Sequence, residues 1–244
     1  MLFSPPLVPA TLIRRYKRFL FDAVLEDGSE ITGFCPNTGS MLGLTTPGSR
    51  IWLSDHLGSA RKHRYAFELI EAEGTVVGVH AALANRLGEE AIRAGMVADL
   101  HTYETIRREQ RYARNSRIDF LLSSPGRPDA YVEVKNVHFT RVPGLAEFPD
   151  TVTDRGARHL ADLAEMVAAG HRAVMLYVIQ REDCDRLKLS GDLDPAYAAA
   201  FALAVAAGVE AYAVNCRVSP SEIAPKGPIA MDEPALAALS TRQA

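Results

Sequence analysis

The sequence predicts an α/β protein of two domains, a small N-terminal β-barrel followed by a mixed-sheet α/β domain. Short strand-like segments with glycine-bearing turns fill residues 1–80. From residue 81 to residue 244, segments with helical periodicity alternate with strand-like ones. Within that part, "RAVMLYVI" is continuously apolar and bounded by charged residues, which is typical of a strand buried on both faces of a sheet.

The N-terminal segments are short and end at recognisable turns. Hairpins are expected near Asp27-Gly28 and near Glu73-Gly74, and "SRIWLSD" is typical of a further strand. Five such strands indicate a small barrel, of which the oligonucleotide-binding type is one option.

Three helices are expected in the second part of the chain. "ALANRLGEEAIRAGMV" has apolar residues at helical spacing, "TDRGARHLADLAEMVAAG" begins at a Thr153 or Asp154 cap, and "DPAYAAAFALAVAAG" begins at an Asp194 cap. Strands are expected at Tyr103–Tyr112, on both sides of a turn within Arg117–Lys135, and at "VEAYAVNCRV". This order predicts a sheet covered by helices.

Composition limits the classes of function. The 244 residues are 48% hydrophobic and carry a formal net charge of −3, so a nucleic-acid site must be a local basic patch. The apolar runs fall short of the ~20 residues that cross a bilayer, so we expect no membrane partner. The three cysteines form no CxxC pair, which favours a cytoplasmic location over a disulfide framework or a zinc site.

The segment Arg117–Lys135, "RIDFLLSSPGRPDAYVEVK", is predicted to be a hairpin centred near Gly126. Its paired residue numbers then sum to about 252, so that Asp119 faces Glu133. The core face should hold the apolar residues of one parity, Ile118, Phe120, Leu122, Val132 and Val134. Lys135 projects from the same face as Glu133.

Two carboxylates that face each other across a strand pair repel unless a cation lies between them. Mg²⁺ (or Mn²⁺) needs few protein oxygens, and Lys135 could orient a water or neutralise charge on a phosphoryl oxygen. The alternative is a solvent-facing pair bridged by Arg117 or Lys135. Asp129, in the literal "PD", lies ~13 Å along the strand from Glu133 and is expected to serve the turn.

Basic residues suggest where a nucleic acid would bind. Around Tyr16, "RRYKR" offers a phosphate-tracking surface; its cations are Arg14, Arg15, Lys17 and Arg18. The alternative is a solvated strand edge. A second stretch leads into the hairpin and contains Arg107, Arg108, Arg111, Arg114 and Arg117. Some of these arginines would instead pair with nearby glutamates.

Two further segments are candidates for phosphate contact. In "CPNTGSM", Asn37, Thr38 and Ser40 offer N–H groups and hydroxyls, although a turn that satisfies its own backbone is the favoured alternative. Arg155 and His159 lie four residues apart on one face of the second helix. Arg155 and His159 point either at the predicted active-site groove or at solvent.

These motifs carry a family resemblance. The hairpin "SRIDFLL…YVEVKNV", after a helix that carries Glu90, resembles the PD-(D/E)xK nuclease superfamily. The blocks "RYKRF", "CPNTGSM", "NRLGEEA" and "FPDTVTDRGARHL" extend the resemblance to the sugar fermentation stimulation protein A family over most of the chain.

The resemblance implies an oligonucleotide-binding (OB) barrel and a restriction-endonuclease-like domain. It implies binding of single- or double-stranded DNA with little sequence preference, and a role in maltose and other sugar metabolism. Glu90, Asp119 and Glu133 would be metal ligands, and Lys135 the catalytic lysine, in a Mg²⁺-dependent nuclease. The alternatives are a non-catalytic DNA-binding regulator and an enzyme that processes RNA or nucleotides. A homodimer is compatible with either.

Overall fold

In the computed structural model, which describes residues 1–58, 60–113 and 116–237, five strands close into a barrel at the N-terminal end. The strands of this domain are β1 (Val8–Tyr16), β2 (Leu20–Leu25), β3 (Glu30–Phe34), β4 (Arg50–Asp55), β5 (Tyr65–Ala72) and β6 (Thr75–Gly78). Strands β3-β2-β1-β4-β5 are neighbours in that order, and Phe34 pairs with Ala66 to close the ring. Strand β6 pairs with β5 outside the ring.

Both predicted hairpin turns of the barrel are confirmed. Glu73 (φ 53°) and Gly74 (φ 79°) occupy the left-handed region, as a two-residue turn between β5 and β6 requires. The barrel core depends on a glycine in β3. A Cβ on Gly33 would lie 2.2 Å from the ring of Phe21, which packs against Phe67 at a centroid distance of 5.2 Å.

The second domain is a mixed sheet of nine strands covered by three helices. The strands are β7 (Thr105–Ala113), β8 (Ser116–Ser123), β9 (Ala130–Val137), β10 (Phe139–Val142), β11 (Gly144–Phe148), β12 (Arg172–Ile179), β13 (Cys184–Leu189), β14 (Glu210–Val218) and β15 (Ile223–Met231). The helices are α1 (Leu83–Arg93), α2 (Asp154–Ala168) and α3 (Pro195–Ala206), with a 3₁₀ turn at Leu100–Thr102. The strand order is β10-β11-β13-β15-β14-β12-β9-β8-β7.

The helices lie on opposite faces of this sheet. The apolar residues of α1 share one buried cluster with β9 and β12, and those of α2 and α3 share another. Strand β12 pairs in parallel with β9 and β14 and is buried along almost its whole length, as its apolar run predicts. The site described below lies where β8 and β9 meet the two helical layers.

The predicted helices and the predicted buried strand are confirmed, but four strands were not anticipated. These are β10, β11, β13 and β15, which form one end of the sheet. Strand β15, "IAPKGPIAM", contains Pro225 and Pro228, and it pairs with β14 across a register shift. Strand β13, "CDRLKL", has no regular alternation of buried and exposed residues. Proline and irregular burial conceal such strands from periodicity.

The hairpin register is as predicted, but its core face is not. Phe120 pairs with Val132 and Leu122 pairs with Ala130, so the residue numbers sum to 252. However, Ile118 lies in the cluster of α2 and α3, whereas Phe120 lies in the cluster of α1. The prediction that they share a face was wrong because the alternation is interrupted at Asp119. In the neighbouring strand β7, Glu109 has φ 54°, in the left-handed region of backbone conformation.

The two domains share a buried junction. Trp52 and Leu69 of the barrel belong to the apolar cluster around α1. The N–H of Gly78 donates to the carbonyl of Gln180 at 2.8 Å. A Cβ on Gly78 would lie 2.4 Å from Gln180 Oε1 and 3.0 Å from Gln180 Cβ, so glycine leaves room for this approach.

The first residues of the chain lie on the second domain. The N-terminal ammonium of Met1 donates to the carbonyl of Ile223 at 2.6 Å, and the N–H of Phe3 donates to the carbonyl of Ser221 at 2.9 Å. A boundary drawn on sequence at residue 80 therefore assigns them to the barrel although their contacts are with β15 and the residues before it. Among the described helices, none is long and apolar enough to cross a membrane.

Candidate active site

Asp119 lies at the point where β8 leaves its pairing with β9. Its Oδ2 accepts a hydrogen bond from the N–H of Val134 at 2.7 Å, and its Oδ1 accepts one from Asn85 Nδ2 of α1 at 2.7 Å. The carboxylate thus takes the place of a backbone partner for β9. This role as a hydrogen-bond acceptor for the backbone explains why a charged residue occupies the inner part of the hairpin.

Glu133 is buried on β9 and faces α2. Its Oε1 accepts from Lys135 Nζ at 2.7 Å and is hydrogen-bonded to His159 Nδ1. On the other side of the imidazole, Arg155 Nε donates to His159 Nε2 at 3.2 Å. The imidazole therefore accepts from the guanidinium at Nε2 and donates from Nδ1 to the carboxylate. Arg155, His159 and Glu133 form one chain of hydrogen bonds.

The two carboxylates differ in their electrostatics. Burial, and then the charge of Glu133, raises the pKa of Asp119 to about 6, against the opposing hydrogen bonds of Val134 and Asn85. Burial would also raise the pKa of Glu133, but the hydrogen bond from His159 and the charge of Lys135 outweigh burial and hold that pKa below its usual value. Glu133 is therefore the carboxylate that ionises first as the pH rises, and its charge makes ionisation of Asp119 costly.

The donor set fits a hard divalent cation. Glu133 Oε2 is buried without a hydrogen-bond partner, although a buried carboxylate oxygen normally has one. Asp119 uses one hydrogen bond per oxygen and keeps lone pairs free. Among the described residues, no group of three or more His, Cys, Asp and Glu side chains is arranged to hold a metal. Two carboxylates with water in the remaining positions match Mg²⁺ rather than a metal that needs an all-protein cage.

Glu90 has contacts elsewhere. Its carboxylate lies 3.2 Å from Arg86 Nε and 3.7 Å from the N-terminal ammonium of Met1. Asn85, five residues earlier on α1, is the helix residue that reaches Asp119. The role of Asn85 was not anticipated from the sequence, because an asparagine near the start of a helix does not by itself indicate a functional contact. The ligand role of Glu90 stays a prediction.

Helix α1 approaches the sheet closely enough for Asn85 to reach β8. A Cβ on Gly88 would lie 3.3 Å from Leu176 and 3.4 Å from Val134, which is tight even for ordinary packing. Glycine inside a helix is otherwise unfavourable by about 1 kcal/mol. Gly88 is the feature of the sequence that could have indicated a close approach of helix and sheet.

The start of α2 is fixed by contacts with α3. Thr153 Oγ1 accepts from the N–H of Gly156 at 3.1 Å, which confirms the predicted cap. A Cβ on Gly156 would lie 2.9 Å from the ring of Tyr197, so only glycine allows the two helices to meet there. His159 follows one turn later and is buried against Glu133.

The basic residues of the barrel play different roles. Arg14 pairs with Asp22 at 2.8 Å. Arg15 donates to the carbonyls of the loop after β3, at 2.7 Å to Asn37 and 2.9 Å to Gly39, so its guanidinium holds that loop. The exposed cations Lys17 and Arg18 form the turn between β1 and β2 and have φ values of 50° and 65°. Of the four, the last two are exposed and have no ion-pair partner among the described residues.

The loop "CPNTGSM" makes mainly internal contacts. The side chain of Asn37 is buried; it accepts from the N–H of Gly39 at 2.8 Å and donates to the carbonyl of Val79 at 3.0 Å. Asp150, which follows β11, accepts from the N–H of Met41 at 2.8 Å. These contacts favour the self-satisfying turn over a phosphate cradle. Thr38 is exposed and Ser40 is half-buried.

The second basic stretch is divided between ion pairs and solvent. Arg108 pairs with Glu89 of α1, at 2.5 Å. Arg117 is exposed, and Arg114 lies outside the described residues. The solvent-facing alternative for Asp119 and Glu133 does not fit the burial of Glu133, whose side chain is 5% exposed, although Lys135 does bridge to Glu133 at 2.7 Å.

Comparison with known proteins gives the same organisation. The model described as the SfsA N-terminal OB domain matches residues 13–79, and the model described as the sugar fermentation stimulation protein RE domain matches residues 82–222. A sugar fermentation stimulation protein homolog of Agrobacterium fabrum is 67% identical over 233 residues, which are 96% of this chain and 98% of that protein. A homolog of Rhizobium rhizogenes is 67% identical over 242 residues, or 99% and 97% of the two chains.

A solved structure shares the whole fold. Pyrococcus furiosus SfsA, in complex with Ca²⁺, superposes with a TM-score of 0.85 at 25% identity, covering 95% of this chain and 98% of that one. The predicted OB-like barrel and restriction-endonuclease-like α/β domain are therefore confirmed. Both halves of the chain match models of one family, and the two homologs of that family align with nearly the whole chain. The protein belongs to the sugar fermentation stimulation protein family.

Proposed function

We propose that the protein binds DNA and hydrolyses its phosphodiester bonds with the help of Mg²⁺ or Mn²⁺. The observation that carries this proposal is the buried Glu133, whose Oε2 has no partner and whose charge raises the pKa of Asp119. A fold that buries two interacting carboxylates loses stability unless a cation binds them. A relative solved with Ca²⁺, another hard cation, supports this interpretation.

Each residue of the site has a task in this proposal. Asp119 and Glu133 would hold the cation, which lowers the pKa of a bound water and polarises the scissile phosphate. Lys135 Nζ, held 2.7 Å from Glu133 Oε1, orients the attacking water and neutralises charge on a phosphoryl oxygen. Asn85 fixes Asp119, and His159 fixes Glu133.

Exposed cations would guide the DNA backbone to this site. Arg155 is exposed beyond its one bond to His159, and Lys17, Arg18 and Arg117 are exposed as well. Phosphate contacts of this kind carry little sequence information, so we propose low sequence specificity. The three cysteines are free thiols, which favours a reducing cytoplasm as the setting.

Cleavage of DNA in the presence of Mg²⁺ or Mn²⁺ tests the proposal. Lys135→Ala should lower the rate by roughly 100-fold or more, because it removes a charge at the reacting phosphate. Lys226→Ala is the matched control, since Lys226 also pairs with a glutamate, at 3.1 Å from Glu182. Equal rates in wild type, Lys135→Ala and Lys226→Ala would refute the site. DNA binding without cleavage in the wild type would instead favour a non-catalytic regulator of sugar metabolism.

A further inference from the structure

One rim of the barrel brings together two loops, one on each side of Phe34. Leu20, at the start of β2, pairs with Phe34 at the end of β3. Phe34 also pairs with Ala66 at the start of β5. The β1–β2 turn and the described residues of the β4–β5 loop, 56–58 and 60–64, therefore flank Phe34 on its two sides. We call this region the Phe34 rim.

A pocket of about 360 Å³ opens at the Phe34 rim. Its walls include Phe34, Pro36, Arg61, Lys62, His63 and His80. Phe34 is 40% exposed and stands at the mouth of this pocket. The volume lies at the lower end of the range for small-molecule pockets and suits a planar ring system.

The charge at this rim is positive although the chain as a whole is negative. Lys62 is exposed and has no ion-pair partner among the described residues, and Arg61 contacts the ring of His56 at 2.8 Å. The turn on the other side of Phe34 adds Lys17 and Arg18. An aromatic face beside several cations is the arrangement that holds an unpaired nucleotide, since the ring stacks on the base and the cations meet the phosphates.

The pocket is connected to the candidate active site. His80 lies five residues before Asn85, so their Cα atoms are at most ~17 Å apart. The carbonyl of His80 accepts from Gln180 Nε2 at 3.1 Å, and the same nitrogen donates to Asn136 Oδ1 at 2.6 Å. Asn136 follows Lys135 on β9, with its side chain on the opposite face of the sheet. The limit of ~17 Å along the chain is what allows one DNA strand to occupy both places within a few nucleotides.

We propose that the pocket at the Phe34 rim binds one unpaired base of a DNA strand whose phosphates lead to Asp119 and Glu133. The proposal deepens the nuclease function and rests on it for the direction of the strand. A base enters the pocket only if it is free of a complementary partner, because stacking on Phe34 uses the face that a duplex buries. The substrate class is therefore DNA with a single-stranded segment or a fork, rather than blunt duplex.

Binding of labelled DNA in the presence of a chelator tests this without requiring turnover. The probes are a single strand, a forked duplex and a blunt duplex of equal length, with 2-aminopurine in the unpaired part. The wild type should prefer the single strand and the fork, and the probe's fluorescence should fall on stacking. Phe34→Ala should weaken binding of both by about 5- to 150-fold and restore the fluorescence. Phe34→Trp should preserve both effects.

Leu203→Ala is the matched control, because Leu203 is an exposed apolar residue of α3, 74% exposed. Equal wild-type affinity for blunt duplex and single strand would overturn the proposal, as would equal losses for Phe34→Ala and Leu203→Ala. Binding of a free mononucleotide as tight as that of the strand would also overturn it. Cleavage by wild type without any preference for unpaired DNA would remove this inference and leave the nuclease function. A Phe34-dependent preference for unpaired DNA without any cleavage would support this inference and remove the nuclease function.

Discussion

At the scale of single residues, the site is organised around the unequal partners of Asp119 and Glu133. Glu133 receives donors from Lys135 and His159 on one oxygen only, which directs the other oxygen toward the expected cation. Asp119 receives Val134 N–H and Asn85, which set its orientation. The two carboxylates are thus positioned by groups that belong to three different elements, α1, β9 and α2.

His159 is a positioning residue, and its removal should weaken metal use more than stability. His159→Ala leaves Glu133 Oε1 with Lys135 alone, so the carboxylate can rotate. Loss of such a supporting contact typically costs about 10- to 100-fold in metal affinity or activity. The measurement is the Mg²⁺ concentration at half-maximal DNA cleavage. His101→Ala, at an exposed residue, is the control, and an equal effect of the two substitutions would contradict the role of His159.

Asp119 should make the metal-free protein less stable as the pH rises. Its pKa is raised from 3.8 to about 6, so the native state retains a proton that the unfolded chain releases between these values. Stability from this group is complete below pH 3.8 and is lost as the pH passes about 6, to a total of about 3 kcal/mol.

The check is urea denaturation of wild type and Asp119→Asn with a chelator present. An asparagine can keep both hydrogen bonds if the Asn85 amide turns over, so the variant should be the more stable one at pH 8 and not at pH 4. Saturating Mn²⁺ should restore the stability of the wild type at pH 8 but should not change that of Asp119→Asn. A constant difference between the two proteins at every pH would contradict the raised pKa.

Much of this residue-scale arrangement could be predicted from the sequence. Alternation along the two strands of the hairpin predicts that Asp119 and Glu133 meet and that Asp129 lies apart. The pairing of Phe120 with Val132 has the predicted register, and the charge of Glu133 acts on Asp119. The partners Asn85 and His159 could not be paired with these carboxylates in advance, because helix periodicity gives a face but not what that face touches. Ile118 was assigned to the wrong face of the hairpin because nothing in the sequence marks the interruption of the alternation at Asp119.

At the scale of elements, the two helices that complete the site are placed by their first turns. Asp194 caps α3 by accepting from the N–H of Tyr197 at 2.9 Å. Its other oxygen accepts from the N–H of Thr153 at 2.7 Å, just before α2. One buried carboxylate therefore fixes the starts of both helices, and with them the position of His159.

Asp194→Ala should accordingly destabilise the protein more than the loss of one cap. We expect about 3 kcal/mol, because two charge-assisted hydrogen bonds are lost. Thr153→Ala, which removes only the cap of α2, should cost about 1 kcal/mol. Urea denaturation of both variants measures the difference. A cost for Asp194→Ala no larger than that for Thr153→Ala would show that the link between the helices contributes nothing.

The elements also show where sequence patterns stop being informative. The helices have caps and periodic apolar residues, and β12 has a continuous apolar run, so their types and places follow from local physics. Strand β15 contains two prolines; it forms a hairpin with the preceding strand β14 and also pairs with β13, which is far away in the sequence. Pairings of that kind are tertiary effects that no local window contains.

At the scale of the whole molecule, the two domains are joined by a buried arginine. Arg181 is 1% exposed and pairs with Asp183 at 2.7 Å and with Glu73 of the barrel at 2.9 Å. It also donates to the carbonyl of His138 at 3.0 Å. The barrel and the nuclease-like domain therefore share one ionic cluster beside the apolar contacts of Trp52 and Leu69.

Arg181→Ala should destabilise the junction by about 3 kcal/mol, since it leaves Asp183 and the His138 carbonyl without their donor. Arg186→Ala is the control, because Arg186 pairs with Asp232 at 3.1 Å on an exposed surface. That substitution should cost less than about 1 kcal/mol. Thermal denaturation followed by calorimetry gives both values, and equal melting temperatures would contradict a structural role for the buried arginine.

The most direct test of the account is a titration of the metal-free protein with Mn²⁺, followed by electron paramagnetic resonance. Wild type and Asp129→Asn should each bind one ion per chain with the same affinity. Asp119→Asn and Glu133→Gln should bind it at least 10-fold more weakly. A wild type that binds no ion, or an Asp119→Asn variant that retains full affinity, would contradict a cation shared by Asp119 and Glu133.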